Sequence, residues 1–420
     1  MSKYSGIDLH SNNCVVAVID DDDKVCCQKR VPNELERIVA LLEPHRDDLV
    51  GVVVESTFNW YWLVDGLIEH GFAVKLANTA AIAQYSGMKY SGDEHDARHL
   101  AHLLRLKLLR FGHIFPPEWR AARDLARKRL QMVQTRTEHI LALETLYARQ
   151  TGKSIKSNAV KQLTMEQVAQ WEWLTDAAVA AQANLAMVQA ADVVIATLEQ
   201  QLRQRVKLQP DYAILRSVPG IGDILSTVIM LETGPVERFR SAGNYASYAR
   251  CVSSTRASNG KKKGEGNRKN GNAYLAWAFV EAAHFALRFN ASAKRFYDKK
   301  KARTNGAVAT KALAHKIARA CYHMLKEQTV FDENAVLRDR SRRCQRASPW
   351  VGHRATRSDW TLTTAASATG NRPDREPRKG GTDSFGNHGS VTHIGTRDGT
   401  NVFLGRPAGC LGPRCSRSWC

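Results

Sequence analysis

The chain opens on three short apolar segments separated by polar turns. Residues 3–8, 13–20 and 24–31 have the length, the Val/Ile/Cys content and the turn spacing of three successive strands. The tip Asp20-Asp21-Asp22-Asp23 between the last two reads as a solvated hairpin turn. The pattern then alternates: a helix over about 32–42, a strand over 50–55, a helix over 59–70, a strand over 72–77, a short helix near Thr79, and a helix that opens at Asp93 and runs to about 110. From 117 to 150 the chain reads as one long polar helix with a thin apolar stripe of Leu125, Leu130, Val133, Ile140 and Leu141. A second long helix, rich in Ala, Gln and Leu, is expected over 165–207, with 151–158 as the turn between the two. Thin stripes of this kind suit an antiparallel pair or a dimerising coiled coil, and equally a helix packed within one domain.

Three strands followed by alternating helices and strands is the order of the ribonuclease H-like fold. The expected class is therefore α/β plus α, in four regions. Residues 1–115 form the ribonuclease H-like domain, 116–207 a helical coiled-coil or dimerisation region, and 208–330 a mainly helical C-terminal domain. Residues 338–420 form a basic tail in which Gly, Ser, Thr and Pro interrupt every apolar run, a composition that favours disorder.

Composition narrows the class of partner. The 420 residues are 43% hydrophobic, enough for a sizeable core, yet the net charge is +20 and the pI about 9.7. Such a surplus points to an acidic polymer, with nucleic acid ahead of a membrane surface. No signal peptide is visible, and apolar runs such as Val228-Ile229-Met230-Leu231 fall short of the roughly 18 residues of a membrane span. The nine scattered cysteines suit reduced thiols and a cytoplasmic location. Cys410, Cys415 and Cys420, with His388 and His393 upstream, match no common zinc spacing.

Four acids carry the candidate chemistry. Asp8 ends the first strand, Glu55 ends the strand Val52-Val53-Val54-Glu55, and Asp93 and Asp96 lie three apart at a helix start, on one helical face. Carboxylates delivered to one point repel unless a hard cation joins them, and Mg²⁺ takes oxygen ligands and bridging phosphates. His95, between the two helical acids, points away from them and reads as a solvated or packed side chain.

Two further segments bear on phosphate. Leu215-Arg216-Ser217-Val218-Pro219-Gly220-Ile221-Gly222 reads as the hairpin of a helix-hairpin-helix element, whose Gly220 and Gly222 would free backbone N–H groups for a phosphate, or as a plain tight turn. The stretch from Arg256 to Asn272 packs six cations (Arg256, Lys261, Lys262, Lys263, Arg268 and Lys269) with four glycines. It reads as a basic, flexible loop that grips phosphate. In the sharper reading Ser258 within it is a nucleophile toward a DNA phosphate, with the cations stabilising the charge that develops.

At this point the residues resemble the transposases of the insertion-sequence-110 family, and more closely its 1111 subgroup. The matches are Gly6-Ile7-Asp8, Val54-Glu55-Ser56-Thr57, Asp93 with Asp96-Ala97, Val218-Pro219-Gly220-Ile221-Gly222, and Ser258-Asn259-Gly260 through Gly271-Asn272, in family order across roughly 1–330. The resemblance implies a RuvC-like domain with a DEDD metal site, here Asp8, Glu55, Asp93 and Asp96, and a Mg²⁺ cofactor. It implies a coiled coil leading to a transposase domain with a nucleophilic serine, here Ser258 in preference to Ser253 or Ser254. It further implies a covalent phosphoserine link to DNA, guidance by a bridge RNA, and dimers or tetramers that join the acids of one subunit to the serine of another. The tail after 338 matches nothing in the family.

Three functions follow as alternatives. A DNA recombinase needs both the acids and Ser258. A Holliday-junction-type nuclease that uses water needs only the acids. A non-catalytic nucleic-acid-binding protein needs only the charge.

Overall fold

Alternation along the first strand sets the architecture. Strand β1 (Lys3–Leu9) turns Tyr4, Gly6 and Asp8 to one face of the sheet and Ser5, Ile7 and Leu9 to the other. It pairs antiparallel with β2 (Asn13–Asp20), which pairs antiparallel with β3 (Val25–Pro32). On its other side it runs parallel to β4 (Leu49–Glu55), which is followed by parallel β5 (Val74–Ala77) and a short antiparallel edge, β6 (Phe111–Gly112). The order β3-β2-β1-β4-β5-β6 is consistent with the ribonuclease H-like expectation. The computed structural model describes residues 1–78, 92–252, 255–265 and 270–333, with the backbone alone at 255–257, 262 and 265. The helix expected near Thr79, Ser253, Ser254, Arg268, Lys269 and the whole tail, including its cysteines, lie outside the described residues.

Helices cover both faces of the sheet. Helices α1 (Leu35–Leu42) and α2 (Tyr61–Glu69) bury Ile38, Leu42, Leu63 and Leu67 against Ile7, Val16, Val52 and Val54. On the opposite face α3 (Asp93–Arg105) packs Leu100, Leu103 and Leu104 against Val53 and Ala77. Its approach to β1 is closest at Gly6, where an added Cβ would lie 2.2 Å from the Ala97 carbonyl oxygen and 2.6 Å from the Ala101 nitrogen. Any side chain at position 6 would push α3, and the acids it carries, off the sheet. The helix ends at Arg105, earlier than the apolar pattern suggests. Lys107 takes a positive φ of 56° and the Leu108 N–H closes back on the Leu103 carbonyl at 3.0 Å, a Schellman-type stop that turns the chain into β6.

The middle of the chain is a long helical pair. Helix α4 (Pro117–Thr151) packs along α7 (Thr175–Val206), with Leu130, Ile140 and Leu143 buried on the first and Ala181, Leu185, Val188 and Ile195 on the second. Two expectations need correction here. The segment expected as one helix over 165–207 is two, α6 (Met165–Ala169) and α7, and the intervening turn also holds a short helix, α5 (Ser157–Val160). The break exists because Trp171 and Trp173 fold back onto Tyr147, at ring-centroid distances of 5.3 and 6.1 Å, and close the end of the pair. Leu141, expected in the apolar stripe, is exposed, and Leu143 takes the buried position.

Helix α7 carries a second apolar stripe that α4 does not cover. Val179, Ala183, Ala186, Ala190, Val193 and Thr197 follow a strict four-three spacing and are exposed, with Val193 at 69% and Val179 at 58%. By length and composition alone α7 could also cross a bilayer, a possibility that a count of unbroken apolar runs missed. Its Asp192 and Glu199 pair with Arg136 and Arg129 of α4, and its buried stripe packs on α4, as in a helical bundle.

The C-terminal part is mainly helical: α8 (Pro210–Arg216), α9 (Asp223–Thr233), α10 (Ala242–Tyr248), α11 (Ala273–Phe289), α12 (Ala291–Lys301) and α13 (Gly306–Glu327). Between α10 and α11 lies a two-stranded sheet, β7 (Thr255–Ser258) and β8 (Lys261–Glu265). The C-terminal core takes in Ala122 and Ala126 of α4 and Leu202 and Val206 of α7, so the base of the long pair is built into it. Near the start of α4 the buried Arg120 donates to both carboxylate oxygens of Asp65 on α2, at 2.6 and 2.5 Å, and lies over the rings of Trp60 and Tyr61. That contact fastens the ribonuclease H-like part to the helical part.

Candidate active site

The sheet and α3 bring the four expected acids to one place. Asp8 shares the α3-facing side of β1 with Gly6, and Glu55 shares that side of β4 with Val53. The parallel register sets Ile7 beside Val54, so Asp8 and Glu55 are neighbours at the ends of adjacent strands. Asp93 and Asp96 come from the first turn of α3, where the positive end of the helix dipole favours carboxylates. Asp8 is 4% exposed.

Electrostatics confirms the crowding. Burial raises the Asp8 carboxyl above its ordinary range, and Asp96 and Asp93 add to the rise; a hydrogen bond from Glu55 and the charge of His10 work against it. Burial, the hydrogen bond to Asp8, and the charges of Asp8 and Asp96 push Glu55 up to about 8. Protonated Glu55 thus donates to the Asp8 carboxylate. Asp93 is held low, first by a hydrogen bond from Arg30. A pair of acids that must retain a proton to coexist is the donor set that a hard cation would relieve. The residues present therefore fit Mg²⁺.

Two residues that sequence reasoning missed complete the cluster. His10 Nε2 lies 3.2 Å from Asp8 Oδ2 and 3.3 Å from Asp93 Oδ2, and ligand atoms of Asp8, His10 and Asp93 all lie within 4.8 Å of one another. Arg30 of β3 donates to Asp93 Oδ2 at 2.6 Å. His10 stands one residue past the end of β1, where strand alternation no longer assigns a face. Arg30 needed the β2–β3 register, which sets it opposite Val15 on the α3-facing side. His95 is exposed and stacks on His99 with ring centroids 5.8 Å apart, in keeping with a solvated side chain.

Ser258 lies on the separate two-stranded sheet. The basic segment, expected as a flexible loop, is a β-hairpin over its first half: Ser258 pairs with Lys261 across Asn259 and Gly260, whose φ values of 50° and 70° make a type I′ turn. Ser258, Lys261 and Lys263 are exposed near this tip. Of Arg256 and Lys262 the backbone alone is described, in β7 and β8. The chain entering α11 is tightly held. The Asn272 N–H donates to the Tyr248 carbonyl at 2.6 Å, and Gly271, with φ 89°, passes so close that a Cβ would lie 2.5 Å from that same oxygen. Asn272 caps α11 through Tyr274 and Leu275 and donates from Nδ2 to the buried Glu232 at 2.7 Å. Glu232 in turn accepts from Arg123 and Arg127 of α4.

The glycine turn packs on α11. Gly220, with φ 95°, faces α11, where a Cβ would meet the Ala286 nitrogen at 2.5 Å and the Ala282 oxygen at 2.6 Å. At the start of α9, beside the exposed Gly222, Asp223 already places a carboxylate, bonded to Tyr212 and Arg216. Gly220 thus serves the packing of the turn against α11, the second of the two readings of this segment, while Gly222 stays exposed at the start of α9.

Comparison with known proteins agrees with this layout. A family model of IS110-type DEDD transposases matches residues 5–148, and the model described as the transposase IS116/IS110/IS902 family matches 212–298. The chain is similar to an insertion element IS110 uncharacterized 43.6 kDa protein of Streptomyces coelicolor, 28% identical over 138 residues, which is 32% of this chain and 34% of that protein. It is also similar to a probable family 20 transposase of Pseudomonas aeruginosa, 23% identical over 341 residues, covering 78% of this chain and 97% of the relative. The match thus spans about a third of the Streptomyces relative and nearly all of the Pseudomonas one. The two family models together cover more than half of the chain, in order, and the chain belongs to the IS110 family of transposases, enzymes that cut and rejoin DNA.

Proposed function

We propose that this protein moves an insertion sequence by DNA recombination, using the RuvC-like acid cluster and the Ser258 hydroxyl on one scissile phosphate. The observation that carries the reading is the convergence of Asp8, Glu55, Asp93 and Asp96 where α3 packs closely on the sheet at Gly6. These four residues would hold Mg²⁺, which supplies electrophilic activation of the phosphodiester when bound. Attack of Ser258 Oγ on phosphorus forms a phosphoserine ester and releases a 3′-hydroxyl. Attack by a new 3′-hydroxyl reverses the step and joins the strands with the ester energy conserved. Exposure of Ser258 near the tip of a hairpin, beside Lys261 and Lys263, suits a side chain that must reach a phosphate on a partner molecule.

The partners rest on the surface chemistry together with the family resemblance. The net charge of +20 suits a nucleic-acid partner such as DNA, the family resemblance adds a bridge RNA encoded beside the gene, and the proposed location is the cytoplasm. The uncovered four-three stripe on α7 suits a second copy of the chain, in a dimer or a tetramer built from dimers, which would let the acids of one subunit meet Ser258 of another. Strand joining on a DNA substrate tests the proposal. Asp8→Ala and Ser258→Ala should each abolish it, and full joining by Ser258→Ala would refute the serine role. A nuclease that uses water would tolerate that change and leave no protein–DNA adduct.

A further inference from the structure

We propose that His10 is a nitrogen ligand of the acidic centre and tips its metal preference from Mg²⁺ toward Mn²⁺. The inference rests on the reading of the four acids as a metal site and adds a donor outside that set. The His10 Nε2 atom is buried, although its ring edge reaches solvent, and it lies 3.2 and 3.3 Å from oxygens of Asp8 and Asp93. At neither distance does it make a hydrogen bond of sound geometry. An imidazole nitrogen set between two carboxylates, within ion-pair distance of both, is placed as a third donor around a shared cation.

The scaffold holds it there. The His10 N–H donates to the Asn13 carbonyl at 2.9 Å, and the His10 carbonyl accepts from Asn33 Nδ2 at 3.0 Å and Asn59 Nδ2 at 2.8 Å. Asn59 itself is fixed by Thr57, just after Glu55. The backbone at position 10 is therefore tied to the turn before β2, to the approach to α1 and to the loop after β4. None of these bonds uses the imidazole, so the ring can be removed without loosening them. Mg²⁺ favours an all-oxygen set and retains water, whereas Mn²⁺ accepts carboxylate oxygens and imidazole nitrogen together. An Asp-His-Asp group beside Glu55 and Asp96 is a mixed set.

The test uses the full-length, metal-stripped protein with Mn²⁺ or Mg²⁺ as the sole probe. Bound Mn²⁺ is examined by electron spin-echo modulation for ¹⁴N coupling, and affinities for the two ions are compared by titration, in the unmodified protein and in His10→Ala, His10→Asp and Asp8→Asn. The expected result is ¹⁴N coupling that His10→Ala and His10→Asp abolish, with a fall of about tenfold or more in the preference for Mn²⁺ over Mg²⁺ in both. Mn²⁺ binding that needs Asp8 but shows no ¹⁴N coupling would overturn the role of His10 and leave the acid site intact. Coupling that survives His10→Ala, or an unchanged preference, would overturn it equally. Mn²⁺ binding indifferent to Asp8→Asn would refute the metal site itself, and this inference with it.

Discussion

Glu55→Gln should stabilise the metal-free protein at alkaline pH while removing its response to metal. In the folded chain Glu55 titrates near 8, against 4.5 for the free group, because burial and Asp8 disfavour its charge. Below pH ~4.5 both folded and unfolded chains hold this proton and the group is neutral in its effect. Between ~4.5 and ~8 the folded chain holds a proton that the unfolded chain has lost, so stability falls as pH rises, and above ~8 the loss is complete. At ~1.4 kcal/mol per pH unit across this interval, the loss reaches about 4–5 kcal/mol. A glutamine keeps the size and a donor for Asp8 and carries no charge, so its advantage should grow over the same window. The assay is chemical denaturation of both chains in EDTA from pH 4.5 to 9, repeated with divalent metal. The expected result is coincidence at the acid end, a gap of several kcal/mol at the alkaline end, and stabilisation by metal in the unmodified chain alone. Parallel profiles at all pH values would refute the crowding argument.

Two further outcomes follow from the packing. Glu232→Ala leaves Arg123 and Arg127 without their buried counter-ion and Asn272 without its acceptor, and should cost about 3–5 kcal/mol in urea denaturation; a loss below ~1 kcal/mol would show that the network is marginal. Val193→Glu places a charge within the uncovered α7 stripe, at the more exposed of its two valines, and should shift the protein toward monomer in sedimentation, with unchanged helix content by circular dichroism, whereas an unaltered oligomer would place the interface elsewhere.

Much of the sheet was legible because burial on two faces leaves a periodic record. Apolar runs located β1, β2, β4 and β5, and the acids at their ends stood out as breaks in those runs. The three-residue step from Asp93 to Asp96 gave a shared helical face without any tertiary information. Residues whose role depends on register were not legible in the same way. Arg30 reads as one more cation on a mixed strand until β3 pairs with β2. His10 lies one residue past the strand, where alternation stops being a guide. The hairpin β7–β8 was obscured by its charge, since Lys and Gly are weak strand formers; the Asn259-Gly260 step was the overlooked signal. The break at 170–174 depends on tryptophans packing across the helical pair, and the second stripe of α7 becomes visible only once α4 has claimed the first. For Gly220 local sequence allowed two roles, and the backbone of α11 decides between them.

The most direct measurement is recovery of the covalent intermediate. The full-length protein is incubated with a DNA duplex carrying the element junction, any required guide RNA and divalent metal, then denatured, digested and mapped by mass spectrometry. A nucleotide esterified to Ser258, absent from Ser258→Ala and from Asp8→Asn, is the expected result. Efficient cleavage with no adduct, or an adduct on another side chain, would contradict the joint action of the acid cluster and Ser258.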